Sequence, residues 1–302
     1  MSNFNLKCLD KTCNGDLVIK YDSKKINYDD VNFNCTTDTY KKPKIYVCKK
    51  CEILFSELVF NFQNNQFEKS YKDVKDEKYI SQIKYKRIYF ENLSKKISRE
   101  LNTSNSVLEI GSYYGLLGSI INEKVKNYYG LELSYHGCKF SKDKFNLNIF
   151  NETIEEHAKR KIKYDLIIMA DVIEHFADPF STFEIVNKLL NKNGKLILTT
   201  FNMDSLYAKI TKKNYHWIIP YHLVYFSNKT LKDIGKKNNL ELYKIENDIR
   251  TVSVGYLLEK LIFIFPRLSL IFKFLFRFKL LRKLSIKINL RDLNIYYYIK
   301  SN

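Results

Sequence analysis

Glycine and proline are scarce, with 9 and 4 residues in a chain of 302. That excludes collagen-like repeats and long flexible linkers. Signal-like sequence is missing too: MSNFNLKCLDKTC has neither an apolar core of signal-peptide length nor a small-residue cleavage site, so the expected location is the cytoplasm, with reduced thiols. No uninterrupted apolar run of membrane-crossing length occurs in the greasiest segment, 255–284, where Glu259, Lys260, Pro266, Arg267, Lys273 and Arg277 break every window of ~20 residues. What the chain has is a core: 45% hydrophobic and 15% aromatic residues, in a length suited to one large or two modest domains. It also carries a formal charge of +18, from 51 Lys and Arg against 33 Asp and Glu. Two readings of that charge stand: attraction to polyanions such as nucleic acid, anionic lipid or phosphorylated substrates, or the Lys, Asn, Ile and Tyr usage of an AT-rich genome.

Five of the six cysteines lie in the first 51 residues. Cys8 and Cys13 form a C-x4-C pair and Cys48 and Cys51 a C-x2-C pair, which suits two knuckles clasping a tetrahedral zinc ion. VIKYDSKKI and KKPKIYV alternate enough to be the strands of a zinc ribbon, with Pro43 at its edge. With four thiolate ligands and no histidine nearby, the ion would be closed and structural. The competing reading makes Cys48 and Cys51 redox-active or merely buried. Cys35 either replaces Cys13 as a ligand or sits unliganded, and Cys138 reads as a packing residue.

Between Asp73 and Leu101, Ile80, Ile83, Phe90, Leu93, Ile97 and Leu101 recur at helical spacing. SVLEIG, YYGLEL, YDLIIMAD and GKLILTTF then follow as short apolar runs mostly separated by stretches of helical length. That pattern predicts a parallel sheet covered on both faces, an open α/β architecture. In VLEIGSYYGLLGS, an apolar run breaks into glycines directly after Glu109. The turn past the first strand is where such sheets place ligands, at the amino end of the next helix. Glu132 closes the second strand at about the interval at which an acid meets ribose hydroxyls. The glycines are spaced G-x3-G-x2-G, so the dinucleotide pattern is not met: Tyr113 stands at its second glycine.

The runs VLEIGSYYG, GLEL, YDLIIMADVIEHFADP and LLNKNGKLILTTFN, in that order and spacing, resemble the class I S-adenosylmethionine-dependent methyltransferases. DVIEH followed by Asp178 and Pro179 is similar to the ubiquinone-biosynthesis type and to sugar-modifying methyltransferases with an amino-terminal zinc domain. The resemblance covers 105–246 and implies a Rossmann-like doubly wound sheet of seven strands with the last antiparallel, behind a small zinc-ribbon-like β domain. The expected division is 1–70 for the ribbon and 71–302 for the methyltransferase domain. It further implies that Glu109 and Gly111 border the methionine part of the cofactor, that Gly115 opens the turn, and that Glu132 holds the ribose with Leu133 beside the adenine. Asp171 would face cofactor and substrate. The adenine contact after the third strand is Asn151, Glu152 or Ile154. Tyr113 departs from the family glycine, so its side chain must point away or cover the methionine.

Methyl transfer needs alignment and, for an alcohol acceptor, a base. His175 in DVIEH and His222 in HWIIPYHLVYF are the candidates, the second in the connection after strand five where the family builds its acceptor pocket. Each can equally be a hydrogen-bonded residue that shapes its loop. Glu174 reads as a cap for a helix beginning near Asp178.

Near the end, TLKDIGKKNNLELYKIE reads as helix then strand, and NLRDLNIYYYIK as a last strand. The basic apolar insertion between them, at about 251–288, reads as a surface-lying helix drawn to anionic lipid through 255–287, or equally as an acceptor lid or a dimer interface. Lys273 and Arg277 are four apart, as are Lys283 and Lys287, with Phe272, Leu275, Phe276 and Leu280 between. The acceptor is expected to be a small molecule, a sugar or lipid-linked glycan intermediate. RNA methylation is the rival the charge suggests, weakened by the lack of an interleaved aromatic and basic motif. A non-catalytic scaffold is the rival Tyr113 suggests.

Overall fold

The computed structural model describes residues 6–24, 26, 31, 42–60, 71–264 and 266–301. Cys35 lies outside them.

Seven strands form the central sheet: β4 (Ser106–Ile110), β5 (Asn127–Leu131), β6 (Ile149–Phe150), β7 (Tyr164–Ala170), β8 (Leu190–Phe201), β10 (Leu240–Asn247) and β13 (Leu293–Lys300). Their order is β10-β13-β8-β7-β4-β5-β6. β4 through β8 run parallel, and β13 enters antiparallel between β8 and β10. The expected doubly wound sheet with an antiparallel last strand is what forms. Alternation explains why the strands read as unbroken apolar runs. Val107, Leu166, Ile168, Ile197 and Ile295 fill the core on one face, and Leu108, Ile167, Met169, Leu196 and Tyr296 that on the other. Both faces are dry, so polar alternation is lost. From β4 the chain winds outward to β5 and β6, then returns to lay β7 on the other side. That reversal opens a crevice beyond the carboxyl ends of β4 and β7.

The helical stretch before β4 is broken into Glu77–Ser81, Ile83–Lys96 and Ser98–Asn102. Helix Asn228–Lys237 lies against β13 so closely that a Cβ on Gly235 would sit 2.6 Å from the Tyr298 ring and 2.8 Å from the Leu240 carbonyl oxygen. Neither backbone nor a buried tyrosine can yield cheaply. Gly235→Ala is therefore expected to destabilise by about 1–3 kcal/mol, read as a lowered midpoint in a thermal melt.

At the amino end, β1 (Leu17–Tyr21), β2 (Ile45–Cys48) and β3 (Leu54–Ser56) form the antiparallel ribbon. A strand from far downstream, β9 (Val224–Tyr225), pairs with β3 and completes the sheet. Ser56 N donates to the Leu223 carbonyl at 2.8 Å, and Lys42 Nζ to the carbonyls of Tyr215 and Ile218. The ribbon thus braces the 215–225 connection.

The insertion is bracketed by the antiparallel pair β11 (Arg250–Ser253) and β12 (Ser285–Ile288). Inside it the chain makes three short helices, Val254–Ile264, Ser269–Phe276 and Lys279–Lys283, where the sequence suggests one. A 3-10 turn, Pro266–Leu268, follows the first, with proline at the opening position, where its missing N–H costs nothing. No helix among the described residues is long and apolar enough to cross a membrane.

Candidate functional site

The turn after β4 is left-handed at three places, Gly111 (φ 71°), Tyr113 (φ 48°) and Gly115 (φ 69°). The two glycines also admit close neighbours. A Cβ on Gly111 would meet Val172 at 2.6 Å, and one on Gly115 would meet Ser141 and Leu147 within 2.8 Å. Tyr113 takes a backbone conformation that favours glycine, and its surroundings hold it there. Its amide donates to Glu132 Oε2 at 2.7 Å, its hydroxyl to Asp76 at 3.2 Å, and its ring meets Tyr79 edge-on at 4.7 Å.

Glu132 is 3% exposed, and its other oxygen accepts the Ser134 amide at 2.7 Å. Burial pushes its carboxyl up to about 7. Leu133 follows, its carbonyl held by Asn151 Nδ2 at 2.8 Å. Of the three residues considered beside the adenine, Glu152 and Ile154 line the cleft; Glu152 is also paired with Arg160 and His157, and Ile154 belongs to the core. Glu109 is buried under the turn, takes the Tyr128 hydroxyl at 2.5 Å, and is pushed up to about 8 by burial. Ser112 Oγ is buried with no hydrogen-bond partner among the described residues.

At the end of β7, Asp171 is also left-handed (φ 58°). Its amide reaches Thr199 on β8, and Thr199 Oγ1 donates back to its carboxylate at 2.7 Å. Arg250 closes on it from the insertion hairpin: Nη2 lies 2.7 and 2.6 Å from the two carboxylate oxygens, and the guanidinium rests 3.9 Å over the Tyr89 ring. Within NDIRTVS only Asp248 stands near Arg250, 3.7 Å from its Nε, and the carboxylate it grips lies 79 residues earlier, so local pattern does not mark its role. Arg250→Ala is expected to lower both the thermal midpoint and the rate, since it strips charge-assisted bonds worth about 1.5–3 kcal/mol each from Asp171 and unties the hairpin. Arg250→Lys should fall between, because a point charge cannot copy the planar guanidinium. Melts and turnover on both variants check this.

Beyond Asp171 stand Glu174, His175 and His222. Asp178, not Glu174, caps the helix Pro179–Leu189, its carboxylate accepting the amides of Phe180 and Ser181. Glu174 is 2% exposed and takes the Thr200 hydroxyl at 3.0 Å. Burial first, then the Asp171 charge, raises its carboxyl to about 8. His175 Nδ1 is bonded to the Tyr221 carbonyl at 2.9 Å and His222 Nδ1 to the Trp217 carbonyl at 2.8 Å. Burial lowers His175 to about 4 and holds His222 well below the usual imidazole range. The two rings meet edge-on with centroids 5.0 Å apart.

Glu132, Asp171, Glu174, His175, His222 and Arg250 line one cleft of about 1390 Å³, running from the turn at Gly111 past Asp171 to the insertion at Tyr256, Phe276 and Arg282. Away from it, the sulfurs of Cys8, Cys13, Cys48 and Cys51 all lie within 4.8 Å of one another, with Cys8–Cys51 and Cys13–Cys48 each at 3.6 Å. A zinc–sulfur bond of about 2.3 Å in a tetrahedron sets sulfur–sulfur edges at about 3.8 Å. The amides of Lys50 and Cys51 point at Cys48 Sγ, and a Cβ on Gly15 would fall 2.5 Å from it.

Known proteins share the cleft's fold. A ubiquinone biosynthesis O-methyltransferase of Erwinia tasmaniensis is 27% identical over 33% of this chain and 43% of its own length. Its counterpart from Pelagibacter ubique is 30% identical over 46% and 63%. The chain thus spans about half the length of these curated relatives. Among solved structures, an S-adenosylmethionine-dependent methyltransferase of Archaeoglobus fulgidus superposes over 74% of this chain and all of its own, with TM-score 0.50 and 17% identity. A Bacillus halodurans protein provisionally assigned as a methyltransferase does so over 70% and 100%, with TM-score 0.52 and 14% identity. A model of the methyltransferase domain family matches residues 83–245, more than half of the 302. The chain belongs to that methyltransferase domain family, and a four-cysteine cluster stands ahead of the matched segment.

Proposed function

We propose that the protein transfers a methyl group from S-adenosylmethionine to a hydroxyl of a small sugar-containing acceptor presented at an anionic membrane surface. The observation that carries this reading is the cleft. Single-ligand pockets run to about 1,000 Å³, and one of about 1390 Å³ has room for cofactor and acceptor together, with its far end under a basic apolar rim.

The turn suits the cofactor by its donors and acceptors. Glu132 keeps lone pairs for ribose hydroxyls after accepting two amides, and Ser112 offers a hydroxyl with no partner among the described residues. Glu109, Gly111 and Gly115 would border the methionine part, Leu133 the adenine. Tyr113 preserves the turn that a glycine would make, which speaks against the scaffold reading. Bound there, S-adenosylmethionine supplies an electrophilic methyl on a sulfonium. Asp171, fixed by Thr199 and Arg250, faces both ligands. Glu174, His175 and His222 form the polar end that receives the acceptor oxygen and handles its proton.

The rim points to the acceptor's source. Between Lys260 and Leu290 no acidic residue occurs, while Arg267, Lys273, Arg277, Lys279, Lys283 and Lys287 do. Leu270 is 79% exposed and Leu280 84%, with Phe274, Phe278 and Leu284 also open to solvent. Exposed apolar side chains set among cations suit insertion among anionic headgroups. The reading also divides the chain into a zinc ribbon over 1–70 and a catalytic domain over 71–302 with its insertion at about 251–288.

Flotation with anionic and with neutral vesicles, followed by labelled-methyl transfer to polyprenyl-linked sugars, tests it. Binding to anionic vesicles alone and label in the sugar are expected. Absence of flotation removes the membrane step. Cofactor binding without label in any sugar removes the acceptor class.

A further inference from the structure

We propose that Lys279, Arg282 and Lys283 form an anion subsite at the insertion end of the cleft, built to hold the phosphate or diphosphate of a phosphorylated acceptor. The inference rests on the methyltransferase reading and deepens it: the sugar-containing acceptor carries its phosphate at a distance from the hydroxyl that is methylated.

The cations of the insertion fall into two sets. Lys279, Arg282 and Lys283 line the cleft, while Arg267, Lys273 and Arg277 lie outside its lining. The three that line it stand at i, i+3 and i+4 on the helix Lys279–Lys283, the spacing that puts side chains on one helix face. That face is turned to the cleft. Arg282 shows what the cluster lacks. Its guanidinium is oriented by the Phe276 ring, 4.7 Å away, yet its Nε is buried with no hydrogen-bond partner among the described residues. No ion pair among the described residues joins Lys279, Arg282 or Lys283 to a carboxylate. Of the acids lining the cleft, Glu259 alone belongs to the insertion, so this stretch of wall is positive. A buried N–H without an acceptor costs free energy until an oxygen meets it.

The chemistry of the three groups selects phosphate. A guanidinium presents parallel N–H groups in a planar fork that matches phosphate oxygens, and two ammonium groups beside it supply charge to the oxygens that remain. A carboxylate, with two oxygens and one charge, cannot engage all three. The fold also sets how far this end lies from the reacting one. Val254 N donates to the Leu284 carbonyl at 2.8 Å, and a Cβ on Gly255 would meet Arg282 Cβ at 3.1 Å, so the helix that carries the cations is pressed against the end of β11. β11 begins at Arg250, which grips Asp171, and ends at Ser253. At about 3.3 Å per residue those three steps span about 10 Å, which leaves room for a sugar ring between the methyl-transfer end and the anchored phosphate.

Inorganic pyrophosphate is the probe, titrated calorimetrically into the full chain after S-adenosylmethionine binding has been measured on the same sample. One pyrophosphate per chain is expected, bound about 10-fold or more weakly by Arg282→Gln and by the Lys279→Gln/Lys283→Gln double variant, each of which removes charge-assisted bonds. The Lys273→Gln/Arg277→Gln double variant takes as much charge from the insertion outside the cleft and should stay within a few-fold of wild type. No binding by the wild-type chain, unchanged binding in the cleft variants, or equal weakening in all the variants, the signature of net charge alone, overturns the proposal. Phosphatidylglycerol vesicles separate the two sources of phosphate. Pyrophosphate still bound in their presence is expected, whereas its displacement by the vesicles assigns the three cations to lipid headgroups and overturns the subsite. The two readings fail separately: a chain that binds S-adenosylmethionine but no pyrophosphate discards the subsite alone, and a chain that binds no S-adenosylmethionine discards the methyltransferase reading.

Discussion

Glu132→Ala is expected to weaken S-adenosylmethionine binding by about 100-fold or more in a calorimetric titration, with NADH bound by neither protein. The carboxylate does two things that no neighbour duplicates. It accepts the amides of Tyr113 and Ser134, each at 2.7 Å, and so ties the glycine turn to the end of β5. It would also accept from the ribose hydroxyls, and bonds to a charged acceptor are worth about 1.5–3 kcal/mol each. Two such bonds lost make a factor of about 100 or more by themselves. The mutant also leaves two buried amides without their acceptor, at about 1–3 kcal/mol each, so its melting point must be measured beside its affinity. Glu132→Gln separates the effects: it keeps the volume but turns an NH2 toward one of the two amides. Affinity in Glu132→Ala equal to the wild type, in a folded protein, would sink the cofactor assignment at this turn.

Why the turn was readable and the far end of the cleft was not is a matter of sequence separation. Gly111, Gly115 and Glu132 belong to consecutive strand ends, and short-range pattern is enough to place them. The sheet was legible for a similar reason, since two dry faces force continuous apolar runs such as YDLIIMA. The cysteine pairs were legible because two thiolate pairs at knuckle spacing suit a tetrahedral zinc ion. Arg250 was invisible because, Asp248 apart, the groups it meets, Asp171, Tyr89 and Trp217, are brought to it by the fold from distant segments. Glu174 was misread as a helix cap because a carboxylate near a helix start fits that role locally; burial beside Thr200 is a tertiary fact. The pairing of β9 with β3 was likewise beyond local pattern, for two residues carry no periodicity.

That pairing makes the second large effect. Cys48→Ser, at a residue only 1% exposed, is expected to abolish binding of a zinc ion by the four sulfurs and to lower the melting point of the zinc-loaded protein by roughly 10 °C or more, since structural zinc is worth about 10 kcal/mol or more in small domains. The loss should not stay in the ribbon. Ile45 and Leu54 share a core with Phe201, Tyr215, Ile218 and Tyr225, and the edge strand β9 begins two residues after His222. The His222 ring lies over Phe201 at 5.1 Å, stacked on a wall that the ribbon supports from behind. Loosening that wall displaces one side of the acceptor pocket while Glu132, on the opposite side of the sheet's switch point, stays in place. A strong chelator, or the Cys48→Ser change, should therefore cut turnover by about 10-fold or more yet leave S-adenosylmethionine affinity within a few-fold of wild type, because a displacement on the order of 1 Å costs a positioned reaction far more than it costs remote binding. Turnover and affinity falling together would mean global unfolding, to be recognised in the melt. Neither changing after verified zinc removal would show that the ribbon is a passive appendage and that the acceptor wall stands without it.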